Sequence, residues 1–424
     1  MSPASQHHAL TPRRERATLL VLGAVQFTHI LDYMIIMPLG AQLMRAFAIK
    51  PVQFTWIVAT YSLAAAVSGL AGGFILDRFD RKRSLLFLYA GFGLTTLACG
   101  LAPTHHWLLA ARFAAGAFGG LASAMVTAMV GDIIPPERRG RAMSIVAAAF
   151  PVASVLGVPL GLVLAGKFGW HAAFFMLAGC GAAILALASF ALPHLRTAVA
   201  DHNPARQMRE ILAHGVHRRA FAVSAMLVMA GSSLIPFLAP TFIANVGLDE
   251  KVQLPIAYAV GGVATFITTP IVGWLSDHVD RLRLLAVMSG AAIVVVLFIT
   301  RLGPSSLALA ATMMALFMVT MSGRFSPAMA MITNAVEARY RGGFMSVNGS
   351  IQQTAAGFAN VLAGLFVVSD STGRLVGFPQ LGYLGIGFFL LTLLFAHQLR
   401  TAAPHVAAPG MKIRRVSAPT AAPV

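Results

Sequence analysis

A charged segment that occurs twice, half a chain apart, constrains the fold of this sequence most. The first copy, GFILDRFDRKR, occupies residues 73–83, and the second, GWLSDHVDRLR, occupies residues 273–283. One Gly, two Asp and two Arg recur at the same offsets, and each copy lies between two long apolar segments. Because such a basic segment does not readily cross a membrane, we expect both copies on the same side. The pattern predicts a duplicated unit whose two halves form a parallel repeat.

The composition is that of a membrane protein. Of the 424 residues, 58% are hydrophobic and 11% are charged, which is too little charge to cover a soluble protein of this length. The formal net charge of +17 could also indicate binding to nucleic acid. The positions of the basic residues argue against nucleic acid as a partner, because 23 of the 31 Lys and Arg lie in one set of alternate loops and the two tails. This asymmetry marks the cytoplasmic side of a membrane protein.

Twelve segments are long enough to cross a membrane. We obtain them by cutting the sequence at charges, prolines and glycine-rich breaks, and they lie at about 17–40, 53–76, 84–103, 107–131, 142–166, 172–192, 220–246, 254–276, 284–303, 306–331, 343–367 and 380–400. A second repeated segment, RGRAMS at 139–144 and RGGFMS at 341–346, supports the duplication. An even number of spans places both termini on one side, which the charge distribution makes cytoplasmic.

The predicted fold class is an all-α membrane protein with two bundles of six transmembrane helices each. Its predicted parts are a cytoplasmic N-terminal tail (1–16), an N-terminal bundle (17–192), a cytoplasmic linker (193–219), a C-terminal bundle (220–400) and a disordered cytoplasmic tail (401–424). The tail is rich in Ala and Pro, a composition typical of disorder.

Four local patterns resemble those of the major facilitator superfamily. The segment at 73–83 resembles the G-x-L-x-D-R-x-G-R-K signature between the second and third helices of that family, with Asp80 in place of the second glycine. RFAAGAFGG at 112–120 resembles its fourth-helix pattern, and GVPLG at 157–161 a shortened fifth-helix antiporter motif. Residues 31–40 resemble the first helix of arabinose-efflux-permease-like exporters. The resemblance implies the major facilitator fold and, more narrowly, the drug/proton antiporter branch.

Asp32 is the one acid of fourteen that lies inside an apolar segment. A charged carboxylate is costly in hydrocarbon surroundings. Its protonation can follow the side to which a central cavity opens, which is what a proton-coupled carrier requires. The alternative is a structural polar contact between helices.

Arg112 is the expected partner of Asp32. Counted from the outer ends of their spans, the two residues lie about 12 and about 8 Å deep, a difference that an arginine side chain covers. Since arginine stays protonated, Arg112 would favour the carboxylate form of Asp32 until a substrate or proton competes. The alternative is an arginine that reaches the membrane interface. His29, one turn before Asp32, is either a proton relay or a packed residue.

Arg324 is the second arginine inside an apolar segment, close to Pro327, where a bend is expected. We expect it to face an aqueous cavity, or to pair with Asp32 or an anionic substrate across the domain interface. The alternative is a structural contact with a helix carbonyl end. Weaker candidates for the substrate cavity are polar or aromatic residues in the spans, each of which could instead make an interhelical contact: Gln26, Tyr33, Tyr61, Ser232, Phe237, Asn348 and Gln352.

Two further sets of residues are expected to serve conformational change. The repeated loops predict a cytoplasmic gate in which acids cap helices and arginines bind opposing helix ends or acids; it comprises Gly73, Asp77, Arg78, Arg81, Asp277 and Arg281. In the fifth span, Gly157 and Gly161 permit close helix approach, and Pro159 favours a bend. By resemblance, this motif lies at the interface between the halves.

The sequence contains no motif that is typical of another class of function. It has no G-x-x-x-x-G-K-S/T phosphate loop, no metal-ligand spacing among its 13 His and no cluster of nucleophile and base. We therefore expect no enzymatic activity, no nucleotide, no metal and no cofactor besides protons as coupling ion. The expected partners are the lipid bilayer and a small-molecule substrate, with a monomer as the functional unit.

The sequence thus predicts a proton-coupled exporter of small amphipathic molecules or drugs in the cytoplasmic (inner) membrane, working by alternating access. One alternative is export of sugars or sugar-like metabolites by the same mechanism. A remote alternative is a sensor with this fold and no transport.

Overall fold

The computed structural model describes residues 11–75, 79–193, 204–337 and 340–409. In these ranges the chain is helical almost throughout. The exception is a short antiparallel hairpin in which Val368–Ser369 pairs with Leu375–Val376. Twelve long helices form the body of the protein, and we number them first to twelfth in chain order.

The first six helices form the N-terminal half. They are Pro12–Ile35, Pro51–Ile75, Arg81–Gly100, His105–Ile133, an interrupted fifth helix over Arg138–Phe168, and His171–Ala191. A short helix, Gly40–Phe47, follows the first membrane helix after a turn at Pro38. The first helix therefore ends five residues before the predicted boundary, because proline has no N–H to continue the helical hydrogen bonds.

The last six helices form the C-terminal half. They are Gly215–Val246 and Leu307–Asn334, both interrupted, and Gln253–His278, Arg281–Ile299, Arg341–Phe366 and Phe378–Ala402. A short helix, Pro204–Ala213, lies in the predicted linker, whose residues 194–203 are outside the described ranges. A 3-10 turn, Pro404–Val406, follows the twelfth helix.

The three interrupted helices contain proline near each break. The fifth has a π-helical turn, Ala153–Gly157, that ends two residues before Pro159, where a bend was predicted. The seventh breaks after Ser232 and ends in a π-helical turn, Phe242–Val246, behind Pro240. In the tenth, Arg324 separates the helices Leu307–Gly323 and Phe325–Asn334.

Ten of the twelve helices are long and apolar enough to cross a membrane, by length and composition, in the part of the chain that is described. The third and eleventh are as long but more polar: the third begins with Arg81, Lys82 and Arg83, and the eleventh carries Asn348 and Gln352. The third packs against the fourth and sixth, and the eleventh against the second and seventh. Both are thus integral to the bundles, and the predicted twelve-helix fold is confirmed.

The two halves share a hydrophobic core at one end of the molecule. We call the end that carries Arg81, Arg139, Arg281 and Arg341 the basic end. Away from it, one buried cluster joins both halves and includes Leu31, Phe54, Phe237 and Phe389. Towards the basic end, the N-terminal half and the C-terminal half have separate clusters. The halves are therefore joined mainly at the end opposite to the basic loops.

The first part of the predicted disordered tail is ordered. Val406 and Ala407 are 0% and 1% exposed, and they pack into the core of the C-terminal half. The Ala- and Pro-rich composition did not indicate this contact, because a single valine supplies most of the apolar surface. Residues 410–424 lie outside the described ranges.

Candidate functional site

The first and fourth helices bring Asp32 and Arg112 together inside the N-terminal half. Arg112 Nη1 donates to Asp32 Oδ2 at 2.6 Å, and both side chains are 0% exposed. The same nitrogen lies 3.4 Å from the main-chain oxygen of Asp32, and Thr96 of the third helix lies 3.5 Å from Oδ1. The structure thus contains the pair that the sequence predicted.

Glycines of the fourth helix determine how closely the second helix approaches this pair. A Cβ atom at Gly116 would lie 2.2 Å from the Tyr61 carbonyl oxygen, and one at Gly119 would lie 2.6 Å from the His29 ring. Because main-chain atoms cannot move aside, the first position accepts only glycine. This close packing places the Tyr61 ring over Arg112, with Cζ 4.2 Å from the ring centroid.

The Arg112 guanidinium is therefore held by one carboxylate and one aromatic ring. Its Nε and Nη2 atoms have no hydrogen-bond partner within the described ranges. A cation–π contact compensates part of the cost of burying the cation, and the carboxylate compensates more. Neutralising Asp32 would thus leave Arg112 with the ring and the 3.4 Å contact to the Asp32 main-chain oxygen, so the arrangement can respond to a proton.

His29 lies beside this pair but is not joined to it. Its ring centroid is 6.0 Å from those of Tyr61 and Phe92. Neither ring nitrogen has a hydrogen-bond partner among the residues described. The relay from His29 to Asp32 that the sequence suggested is not assembled in this conformation.

Tyr33 connects the site to the C-terminal half. Its ring centroid is 5.8 Å from that of Tyr61. Ser62 of the second helix, Ser232 of the seventh and Asn360 of the eleventh are neighbours of its hydroxyl. Ser62 and Asn360 were not among the predicted residues, although the criterion that selected Asn348, a polar side chain within a span, also applies to them.

Arg324 lies elsewhere than expected. It is 1% exposed, its Cζ is 4.2 Å from the Phe389 ring centroid, and its Nη2 is 3.0 Å from Met321 Sδ. The expected position on an aqueous cavity or opposite Asp32 is therefore wrong for this conformation. The side chain instead lies inside the C-terminal half, where the Phe389 ring stabilises the cation.

The remaining cavity candidates make interhelical contacts. Ser123 donates to Gln26 Oε1 at 3.1 Å, and Gln352 Nε2 donates to Ser224 Oγ at 2.9 Å. Phe237 is fully buried and meets Phe54 edge-on across the halves, with ring centroids 6.4 Å apart. Asn348 is 1% exposed, and its Oδ1 has no hydrogen-bond partner among the described residues.

The repeated loops contain two helix caps, at other positions than expected. Asp80 and Asp280 precede the third and ninth helices and accept from the N–H groups of Arg83 and Arg283, each at 2.9 Å. Asp277, the expected acid, is exposed and makes no hydrogen bond or ion pair within the described ranges. An Asp directly before a helix is placed to bind its free N–H groups, which explains the difference. Asp77 and Arg78 lie outside the described residues. For Gly73, only the main-chain conformation is described.

Two arginines of the loops make hydrogen bonds within their own halves. Arg81 Nε donates to Asp132 Oδ2 at the end of the fourth helix, at 2.9 Å. Arg281 has a different partner: its Nη1 donates to the Val406 carbonyl at 3.2 Å and its main-chain N–H to the Ala407 carbonyl at 2.9 Å. Arginines binding helix ends or acids were expected, but both of these contacts fix a bundle internally.

Gly157 and Gly161 pack against the first helix, within the N-terminal half. Cβ atoms at these positions would lie 2.7 Å from Leu31 and from Ile35, respectively. The two glycines themselves thus face the first helix, whereas the segment that carries them also packs against the eighth helix of the other half. At that interface a Cβ on Gly262 of the eighth helix would lie 2.7 Å from the Ser154 carbonyl oxygen.

At the end opposite to the basic loops, an ion pair between Arg45 and Glu250 ties the halves. Within the C-terminal half, Asn245 donates to the Leu375 carbonyl at 2.8 Å and accepts from its N–H at 2.9 Å, which fixes the hairpin to the seventh helix. Two surface cavities of about 550 and 850 Å³ lie in the C-terminal half, and neither is lined by Asp32 or Arg112.

Comparison with curated proteins finds transporters. The uncharacterized MFS-type transporter YceJ of Bacillus subtilis (strain 168) is 31% identical over 173 residues, which are 41% of this chain and 44% of that protein. Multidrug resistance protein Stp of Mycobacterium tuberculosis (strain CDC 1551 / Oshkosh) is 31% identical over 176 residues, which are 41% of this chain and 33% of that protein. The matched segments span less than half the length of these relatives.

Solved structures extend the likeness over nearly the whole chain. A bacterial homolog of the human lysosomal transporter Spinster, in an inward-facing and occupied conformation, gives a TM-score of 0.75 at 17% identity, over 94% of this chain and 99% of the other. A D-xylose-proton symporter gives a TM-score of 0.71 at 14% identity, over 92% and 97%. At these identities the likeness shows the fold alone. The sequence model of the Major Facilitator Superfamily matches residues 22–360, and the chain belongs to this superfamily of membrane transporters, which are not enzymes.

Proposed function

We propose that this chain is a proton-coupled antiporter that exports small amphipathic molecules by alternating access. The observation that carries the proposal is the fully buried pair of Asp32 and Arg112. Asp32 was the one acid inside an apolar segment, and such residues in transporters commonly serve ion or proton pathways. A buried pair with one carboxylate is sensitive to a single proton, because protonation removes the attraction between the two side chains.

In the proposed cycle, a proton from outside the cell binds the Asp32 carboxylate. The neutral carboxyl group releases Arg112, which stays charged and keeps its contact with the Tyr61 ring, 4.2 Å away. Reorientation then exposes Asp32 to the cytoplasm, where the proton leaves and the ion pair forms again. Substrate leaves the cell in the opposite half of the cycle, so one gradient drives both movements.

The proposed orientation places the basic end and both termini in the cytoplasm of a cell whose inner membrane contains the protein. It rests on the excess of Lys and Arg in the loops at that end. The two halves have separate cores at the basic end. With this orientation, substrate would enter between the halves from the cytoplasm.

The substrate class is proposed from two sources. Stp, a relative by part of its length, is named a multidrug resistance protein. The surroundings of the ion pair include the rings of Tyr33 and Tyr61, which suit a molecule with an apolar body.

Proteoliposomes with an imposed pH gradient test the proposal. Purified protein is reconstituted, and a panel of amphipathic compounds and sugars is offered with and without the gradient. We expect accumulation of amphipathic compounds that depends on the gradient and collapses with a protonophore. Transport that ignores the gradient, or a preference for sugars, would contradict the proposed coupling or substrate class.

A further inference from the structure

A groove lies between the ninth and tenth helices, on the membrane-facing surface of the C-terminal half. It is the smaller of the two surface cavities, with a volume of about 550 Å³. Apart from one arginine and one glycine, apolar side chains line it, among them Val294, Phe298, Leu309 and Met313. The first three are 53%, 65% and 44% exposed. Apolar side chains this exposed on membrane-spanning helices face lipid, so the bilayer supplies what covers the groove.

The groove lies at the level of one leaflet, at the end opposite to the basic end. Arg301 follows Ile299, the last residue of the ninth helix, by two positions. Val294 precedes Arg301 by seven residues, which correspond to about 10 Å along a helix. The hydrocarbon part of one leaflet is about 15 Å thick. The groove therefore extends from the membrane interface into the hydrocarbon of that leaflet.

Among the residues that the structure describes, Arg301 is the one charged side chain that lines the groove. Its Nη1 donates to the Leu297 carbonyl at 2.6 Å, and its Nη2 donates to the Tyr383 hydroxyl of the twelfth helix at 2.6 Å. The Tyr383 ring centroid is 5.0 Å from Cζ. These contacts fix the guanidinium but do not use all of its five N–H donors. Arg301 forms no ion pair with a described residue, so its charge is available to a ligand.

The internal repeat shows that this cation is particular to the C-terminal half. The repeated loops at 73–83 and 273–283 are offset by 200 residues. At that offset Leu101, at the end of the third helix, corresponds to Arg301, and Leu94 corresponds to Val294. Leu94 and Leu101 are 68% and 60% exposed. The N-terminal half thus presents an apolar surface at the same level without the arginine.

An anionic phospholipid matches both parts of the groove. Arginine binds phosphate through several N–H groups at once, and basic pockets between membrane helices bind anionic headgroups. The apolar side chains suit an acyl chain that descends from such a headgroup. No acid lines the groove within the described ranges, so the ammonium group of a zwitterionic lipid would find no carboxylate beside Arg301.

We propose that this groove binds one anionic phospholipid, whose phosphate contacts Arg301 and whose acyl chain lies along Val294, Phe298 and Leu309. The bound lipid contacts the ninth and tenth helices, and Arg301 links its headgroup to Tyr383 of the twelfth. The site is separate from Asp32 and does not depend on the proposed antiport.

Photo-cross-linking of the purified full-length protein in phosphatidylcholine liposomes tests the inference. The liposomes contain a trace of phosphatidylglycerol or of phosphatidylcholine, each with the same diazirine-bearing acyl chain, and mass spectrometry locates the labelled residues. Attraction of an anionic lipid to one arginine at a membrane surface increases binding by about fivefold. We therefore expect phosphatidylglycerol to label residues 294–313 about fivefold more than phosphatidylcholine does. Both lipids should label residues 94–101 equally.

Two variants and one control assign the preference to the groove. Arg301→Gln should remove the difference between the two lipids at residues 294–313. Leu309→Trp narrows the groove but keeps Arg301, and it should reduce labelling there by phosphatidylglycerol. The control is Arg374→Gln, because Arg374 is an exposed arginine of the hairpin that does not line the groove. This variant should be labelled like the wild type.

The opposite results would overturn the inference. They are equal labelling of residues 294–313 by both lipids in the wild type, a preference that survives Arg301→Gln, or a preference that Arg374→Gln removes as well, which would indicate a general effect of surface charge. If Arg301→Gln does not fold, the result for Leu309→Trp decides, and unchanged labelling of that variant would contradict a lipid bound in the groove.

Discussion

Arg112 Nη1 lies 2.6 Å from Asp32 Oδ2, while the Tyr61 ring covers the same guanidinium with its centroid 4.2 Å from Cζ. Three helices thus meet at one buried cation. The first supplies the carboxylate, the second the ring and the fourth the arginine. A change in the charge of Asp32 alters the contacts of all three, so a local proton can be linked to helix movement.

The Tyr61 ring should matter more than its hydroxyl. The hydroxyl has no hydrogen-bond partner among the described residues, so Tyr61→Phe should keep both stability and transport near the wild-type values. Tyr61→Leu removes the cation–π contact and should lower the free energy of unfolding by about 1–2 kcal/mol or more. Thermal unfolding of the purified variants measures this difference. Similar unfolding temperatures for the Phe and Leu variants would contradict a role for the ring.

Gly116→Ala should disturb the packing of the second and fourth helices. The added Cβ would lie 2.2 Å from the Tyr61 carbonyl oxygen, and overpacking against main chain costs about 1–3 kcal/mol or more. Gly131→Ala in the same helix is the control, because a Cβ there meets nothing within 4 Å. We expect a clear fall in unfolding temperature for the first variant and none for the second. Equal behaviour of the two would show that the helices are less tightly packed than described.

The C-terminal segment takes the place of a carboxylate that the second half lacks. The repeated segments at 139–144 and 341–346 lie 202 residues apart. At this offset, Asp132, the partner of Arg81, corresponds to Asn334. In the second half, Arg281 instead binds the carbonyls of Val406 and Ala407, while His405 Nε2 contacts the Asn334 carbonyl at 3.1 Å. Residues 403–407 therefore fix the basic end of the ninth helix to that of the tenth.

Removal of all residues after Ala402 should lower the unfolding temperature by several degrees, since it takes Val406 out of the buried cluster that also contains Leu285 and Met331. Adding Asn334→Asp to the shortened chain should restore part of that loss by giving Arg281 a carboxylate. Asn334→Ala in the shortened chain is the control and should restore nothing. A shortened chain as stable as the full one, or equal effects of Asp and Ala, would contradict this account.

Arg324→Met should stabilise the protein. Nε and Nη1 of Arg324 have no hydrogen-bond partner in the part of the chain described, and a Met side chain fills similar space next to Phe389 without a charge. We expect the free energy of unfolding to rise by about 1 kcal/mol or more, with transport of neutral compounds retained. Selective loss of anionic substrates would instead support the role that the sequence suggested for Arg324.

The sequence predicted the parts of this protein that depend on charge and hydropathy. The repeated loop gave the duplication, and the lone acid Asp32 led to its partner Arg112, because a buried carboxylate requires compensation. The helix count followed from the length of the apolar segments. The ion pair and the helix count were both inferred from the energetic cost of placing charge in hydrocarbon. That cost is large enough to exclude structures in which a charge is left uncompensated in the membrane.

Contacts that depend on side-chain direction could not be predicted in this way. Arg324 was expected to face a cavity, but depth along a helix does not specify the face on which a residue lies. Likewise, Gly157 and Gly161 are small enough to allow close packing without specifying the partner, which at both glycines is the first helix. The order of residues 403–409 depends on a groove that many distant residues form together.

Proton release on substrate binding tests the central claim most directly. Purified protein in a weakly buffered solution with a pH-sensitive dye is mixed with a transported compound, and the change in proton concentration is measured. If substrate and proton compete at Asp32, the wild type should release about one proton per protein at a pH where Asp32 is protonated. Asp32→Asn should fold and release none. Undiminished release from Asp32→Asn, or none from a wild type that binds the compound, would contradict the account.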